Sequence, residues 1–226
     1  MIAKIEKRFS NGFTVLTSYT WSKNIGDTCG SAVQGNATGC GYQDMFNLRN
    51  ERSIDNQDIP HRFVTSALYD LPFLKSNRIL GGWTIGSIVT AASNVPYTPT
   101  VGGNPANSAG IATVNRPNVV GAAYSGERTV QRDFNTAAFV ANPQFQYGNA
   151  GRNILRQRPH FNWDFSTHKN FQLAERLRLQ FRFEAFSFSN TPRFGTPGNV
   201  VGTAKFGVIT SAATPRNLQF GLKLVW

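Results

Sequence analysis

The sequence predicts an all-β fold: antiparallel strands running up and down as one segment of a transmembrane β-barrel. Three observations carry that prediction. Apolar and polar residues alternate with period two in seven separate stretches, the signature of strands with two unlike faces. No apolar run reaches the roughly 18 residues of a membrane helix, which excludes helical spans but not a lipid face written on every second residue. The connections between stretches alternate short and long, as they do when every second one lies on the same side of a membrane.

The first strand, expected over 2–9, sets Lys4, Glu6 and Arg8 against Ala3, Ile5 and Phe9, with Lys7 as the exception. Ser10-Asn11-Gly12 reads as a tight hairpin turn, because Asn-Gly tolerates positive φ. The return strand, 13–23, places Phe13, Val15, Thr17, Tyr19 and Trp21 opposite Thr14, Ser18, Thr20 and Ser22; Leu16 breaks the alternation. A long irregular segment, 24–60, follows, rich in Gly, Asn, Asp and Gln. It holds both cysteines: Cys29 and Cys40 are spaced to close a small loop as a disulfide in an oxidising compartment, two unpaired thiols being the equal alternative. Without paired His or further Cys they do not make a metal site, and Asp55-Asn56-Gln57-Asp58 is expected to be solvated rather than to hold calcium.

A strand over 61–70 sets Phe63, Thr65, Ala67 and Tyr69 against Arg62, Val64, Ser66, Leu68 and Asp70, and another over 82–93 has Trp83, Ile85 and Val89 on one face. The mixed composition leaves the facing of both open. Between them 71–81 is short, with Pro72 forbidding further ladder pairing. The next segment, 94–159, far exceeds the usual limit of about 12 to 15 residues for a structureless loop, so it is either functional or misassigned.

The clearest hairpin covers 160–190. Its first arm puts His160, Asn162, Asp164, Ser166, His168 and Asn170 on one face, and Phe161, Trp163, Phe165, Thr167, Lys169 and Phe171 on the other. After a turn at 172–175, Leu177, Leu179, Phe181, Phe183 and Ala185 oppose Arg176, Arg178, Gln180, Arg182 and Glu184. A long connection, 191–216, with a short extra strand expected over 206–210, leads to the last strand, 217–226. There Leu218, Phe220, Leu222, Leu224 and Trp226 alternate with polar or small residues.

Energetics assigns the faces. An arginine on the lipid side costs about 2 to 4 kcal/mol near the midplane, whereas a large apolar side chain removed from water gains about 1.5 to 3 kcal/mol. His160, Asn162, Asp164, His168, Arg176, Arg178, Arg182 and Glu184 are therefore expected to face a wet lumen. Phe161, Trp163, Phe165, Leu177, Leu179, Phe181 and Phe183 are expected to face lipid. The net charge of +11 would by itself raise nucleic-acid binding, but the basic residues are dispersed along strands and loops rather than gathered in a run, and no nucleic-acid partner is expected.

The spacing of Gln219, Gly221, Leu224 and Trp226 resembles the C-terminal signal of bacterial outer-membrane β-barrels, which in those proteins the barrel-assembly machinery reads. A wider resemblance rests on Phe134-Asn135-Thr136-Ala137-Ala138-Phe139, Tyr147-Gly148-Asn149-Ala150-Gly151-Arg152-Asn153, Asn162-Trp163-Asp164, Lys169-Asn170-Phe171, Glu175-Arg176 and Phe181-Arg182-Phe183-Glu184. Asp58 to Phe63, Tyr69-Asp70-Leu71-Pro72-Phe73, Gly82-Trp83 and Phe220-Gly221-Leu222-Lys223 belong to it as well. Together these runs resemble Oar-like TonB-dependent outer-membrane transporters over nearly the whole chain. The resemblance implies a barrel of about 22 strands with an N-terminal plug. It also implies outer-membrane location, contact with the bilayer and the TonB complex, and uptake of a siderophore, glycan, peptide or similar solute.

The start, Met1-Ile2-Ala3-Lys4-Ile5-Glu6-Lys7-Arg8, has no apolar core of a signal peptide, and neither plug nor TonB box is recognised. Residues 1–226 are thus expected to be the C-terminal part of such a barrel, stable in a membrane only within a longer chain, with the rest of the barrel and plug as partners. A soluble or surface-exposed β-sandwich used for adhesion is the alternative. An enzyme is not expected: His160, Asp164 and His168 share a face, but four residues on a strand span about 13 Å, too far for one ion to bind all three. No catalytic residue, metal or cofactor is expected.

Overall fold

The computed structural model describes residues 1–27, 41–44, 46–72, 77–108 and 114–226. Seven long strands form one antiparallel sheet: β1 (Ile2–Ser10), β2 (Phe13–Trp21), β3 (His61–Asp70), β4 (Trp83–Ala92), β5 (His160–Gln172), β6 (Arg178–Phe186) and β7 (Asn217–Val225). Each pairs with its neighbours in sequence, so sheet order is chain order and β1 and β7 form the edges. All seven expected strands are present, with ends moved by one or two residues. A sandwich would need two such sheets facing each other; the long strands form one.

At about 3.3 Å per residue, a strand of nine or ten residues is about 30 Å long, which spans a hydrocarbon layer even when tilted. The first turn forms because Asn11 and Gly12 both take positive φ, 53° and 75°. A side chain at Gly12 would also meet the Asp70 carbonyl oxygen at 3.0 Å. The Lys7 irregularity has a structural counterpart: Lys7 pairs with Val15 and Ser10 with Phe13, with a bulge between.

Two local expectations are corrected. Arg176 and Leu177 lie in the β5–β6 connection rather than on the wall, since the Leu177 carbonyl accepts from the Leu173 and Ala174 amides and closes the turn there. The short strand expected over 206–210 forms instead at Val200–Val201, which pairs in parallel with Thr100–Val101.

The described residues of the long connections form a cap at one end of the sheet. Ile25–Gly26 pairs with Ser53–Ile54, Pro96–Tyr97 with Leu155–Arg156, and Asn118–Val119 with Phe139–Val140. Tyr97, Phe134, Ala138, Phe139 and Leu155 make a buried apolar cluster, with Val201 and Phe206 packed on it from the β6–β7 connection. The ring of Phe134 stands edge-on to Phe139 and Phe206, at 5.7 and 5.1 Å between centroids. The apolar core therefore sits in the cap, while many large apolar side chains of the sheet stay exposed, Phe220 at 68% and Leu222 at 72%. A water-soluble sheet would have to cover that surface.

Candidate functional site

Directly paired residues in an antiparallel sheet point to the same face, so the register fixes both faces across all seven strands. One face carries Phe161, Trp163 and Phe165 of β5, Leu179, Phe181 and Phe183 of β6, and Leu218, Phe220, Leu222 and Leu224 of β7. Register also fixes the two strands whose facing was open. Phe63 and Tyr69 of β3 pair with Tyr19 and Phe13 of β2, and with Ala91 and Ile85 of β4. Trp83 and Val89 of β4 pair with Lys169 and Trp163 of β5, so all of these join the apolar face. Aromatics gather at its two ends: Phe13, Tyr69, Trp83 and Phe171 near the short turns, Tyr19, Trp21, Phe63 and Phe161 near the cap.

Lys7 and Lys169 also lie on this face, close to the short turns. Lys169 is 4% exposed and its ammonium is satisfied locally: it donates to the Ile79 carbonyl at 2.8 Å and to the Gly81 carbonyl, and lies over the rings of Trp83 and Phe171. A lysine that finds its acceptors at the end of the apolar band keeps its charge without crossing it.

The opposite face holds the expected polar set. His160, Asn162, Asp164 and His168 of β5 share it with Arg178, Arg182 and Glu184 of β6. The Asp164 carboxylate is engaged on both oxygens, accepting from the Asn162 amide and the Ser187 backbone N–H at 2.9 Å each. Arg182 lies 3.7 Å from Glu184 and donates to Gln180 at 3.4 Å. Leu68 and Ile88, which made the facing of β3 and β4 ambiguous, stand on this polar face as exposed apolar residues. At the end of the chain Gln219 and Gly221 pair with Glu184 and Arg182 on the polar face, Leu224 pairs with Leu179 on the apolar face, and Trp226 lies beyond β7, 88% exposed. Cys29 and Cys40 lie outside the described residues.

The cap brings together charged residues that periodicity had not singled out. Glu51 and Arg116, at 0% and 3% exposure, form a bidentate pair between the first and second long connections. Asp133, fully buried, receives Arg128 at 2.7 Å and Arg158 at 2.6 Å. Asp58 of the Asp55-Asn56-Gln57-Asp58 run accepts from the Asn24 amide and from Arg156, at 2.7 Å each. Its carboxylate therefore joins two connections instead of facing solvent. Burial works against the Arg128 charge, but Asp133 outweighs it and raises the guanidinium pKa. The arginines crowded into 116–158 were the available sequence signal; their carboxylate partners lie as far as 98 residues away.

Between the cap and the outer ends of β4 and β5 lies a cleft of about 770 Å³. Arg52, Arg128, Arg152 and Arg156 line it together with Tyr124 and Ile154, and among the described residues its lining includes no carboxylate.

A family model described as an outer membrane beta barrel domain matches residues 1–219. Comparisons with curated proteins and with solved structures return no match.

Proposed function

The chain belongs to the outer membrane β-barrel domain family, and from that premise we propose that it forms part of the wall and ligand-facing cap of a TonB-dependent transporter. It is an outer-membrane protein whose strands contact the bilayer. The observation that carries the transport reading is the division of labour within the chain: a two-faced sheet for the wall, and at one end an ordered cap with a cleft of its own. Under this reading the Phe161 and Phe183 face meets lipid, and the His160, Asp164 and Arg182 face lines the lumen. The short turns then lie on the periplasmic side and the cap outside. The terminal strand with Gln219, Gly221, Leu224 and Trp226 is the part that the assembly machinery engages. The chain acts by binding and passage rather than by catalysis.

Strand parity supports membership in a larger barrel. β1 and β7 run in the same direction, because the strands between them alternate and number five. Pairing β7 directly with β1 would be parallel, whereas an odd number of further strands closes the barrel with antiparallel pairs throughout. Closure also removes the two open edges, whose unpaired backbone groups are costly in lipid.

The test is uptake by cells carrying the full reading frame, with and without a functional TonB. Loss of uptake when TonB is removed is expected; undiminished uptake without TonB would overturn the transporter reading.

A further inference from the structure

The arginine-lined cleft has a charge arrangement that the ion pairs of the cap impose. Arg128 and Arg156 each hold a carboxylate, and in both cases the carboxylate lies inward: Asp133 is 0% and Asp58 2% exposed, against 33% and 28% for the two arginine side chains. Glu51 and Asp55 are buried as well. The carboxylates thus act as a scaffold at depth, and the two partly exposed arginines line the cleft in front of them. Arg152, at 3% exposure, backs the cleft wall, donating to the Ser53 hydroxyl at 3.1 Å and to the Gly26 carbonyl at 2.8 Å. Arg52 reaches the cleft from the exposed surface. Guanidinium groups whose conformations are already fixed lose little entropy on meeting an oxyanion, and each planar fork matches a carboxylate.

The cleft also has an apolar part. Tyr124 is 41% and Ile154 36% exposed. The Tyr124 hydroxyl accepts from the Arg156 amide at 2.7 Å and donates to the Arg156 carbonyl at 3.2 Å, which holds the ring in place. Arg128 lies over this ring at 4.9 Å.

We propose that this cleft is a recognition site for a soluble oligocarboxylate ligand, its carboxylates held by Arg52, Arg128 and Arg156 and its carbon skeleton resting on Tyr124 and Ile154. The proposal rests on the reading of the cap as the ligand-facing side of a transporter and names the class of solute it takes. Charge complementarity selects the anion, and a volume of about 770 Å³ admits a ligand of a few sugar-acid or amino-acid units.

The test is direct binding to the detergent-solubilised product of the full reading frame, followed by calorimetry, which does not depend on TonB or uptake. The probes are citrate, trigalacturonate and triglutamate, each against its neutral ester or amide. Saturable binding of at least one acid, and none of its neutral counterpart, is expected. Arg52→Glu and Ile154→Glu place a carboxylate in the cleft without touching a cap ion pair, and each should weaken binding by about tenfold or more. Lys205→Glu, exposed elsewhere on the cap, should leave it unchanged. Absence of binding by all three acids, equal binding of the neutral counterparts, or equal loss in all three variants would overturn the proposal. Binding that is intact in a protein whose uptake is independent of TonB would sink the transporter reading and leave the cleft assignment standing.

Discussion

Arg116 and Glu51 meet in a doubly hydrogen-bonded pair, Nη1 to Oε2 at 2.7 Å and Nη2 to Oε1 at 2.9 Å, with both side chains shut off from solvent. The pair joins two connections that share no long strand, and Gln43 strengthens the joint by accepting from the Arg116 amide and donating to the Gly148 carbonyl. Removing one partner of a buried pair leaves the other charge uncompensated, at about 3 to 5 kcal/mol. Arg116→Ala or Glu51→Ala should therefore open the cap to protease while the sheet keeps its strand signal in circular dichroism. The double substitution Arg116→Met with Glu51→Leu should recover much of the protection. Equal protease sensitivity in the double and single variants would contradict this account.

At Gly148 the cap chain passes close to itself. A Cβ there would stand 1.9 Å from the Arg116 carbonyl oxygen and 2.5 Å from that of Pro117, both backbone atoms that cannot rotate away. Overpacking of this kind costs about 1 to 3 kcal/mol. Gly148→Ala should lower the thermal midpoint of cap unfolding, read by protease protection across a temperature series. Gly202→Ala, which has open space around it but a φ of +82°, should cost less.

The two faces of β6 differ by one residue in sequence and should differ sharply in tolerance. Phe183→Arg places a charge on the apolar face and should cost about 2 to 4 kcal/mol in folding into phosphatidylcholine vesicles, measured by urea titration. Gln180→Arg, on the polar face, should fall within about 0.5 kcal/mol of the parent. Similar costs for both would contradict the assignment of faces.

Buried Tyr97 and partly exposed Tyr124 give the cap an alkaline limit. Burial pushes the Tyr97 hydroxyl far above its usual value, and burial likewise raises Tyr124. Folded-state values above the unfolded ones mean that the folded chain binds more protons at high pH. The corresponding stability is fully present below the ordinary tyrosine value of 10.0 and is lost as pH rises beyond it. The cap should loosen above about pH 10, with tyrosinate absorbance rising together with protease sensitivity. The Tyr97 hydroxyl is buried without a hydrogen-bond partner among the described residues, so Tyr97→Phe should leave neutral-pH stability unchanged or slightly higher and move the alkaline transition upward.

Period-two alternation exposed the seven strands and the tight turn at Asn11-Gly12, because both depend on residues within ten positions of one another. Facing was legible where alternation was clean, as along Leu179, Phe181 and Phe183. It was not legible at Leu68 and Ile88, whose apolar side chains occupy the polar face, and pairing with β2 and β5 settles it. The start of β6 was read too early because Arg176 and Leu177 continue the alternation, while the hydrogen bonds of the turn claim Leu177. The cap was read as irregular because its order comes from contacts such as Glu51 with Arg116 and Thr100 with Val200. Such contacts join distant segments and leave no local period.

The most direct test of the central claim, that one face of this sheet meets lipid and the other water, is a cysteine scan along β6 and β7 in outer membranes, with Cys29 and Cys40 replaced by serine. Single cysteines from Leu179 to Glu184 and from Leu218 to Lys223 would be spin-labelled and challenged with oxygen, which partitions into lipid, and with a water-soluble nickel chelate. The account predicts a strict alternation: positions 179, 181, 183, 218, 220 and 222 respond to oxygen, and 180, 182, 184, 219, 221 and 223 to the chelate. Equal access of the chelate to both faces would contradict it.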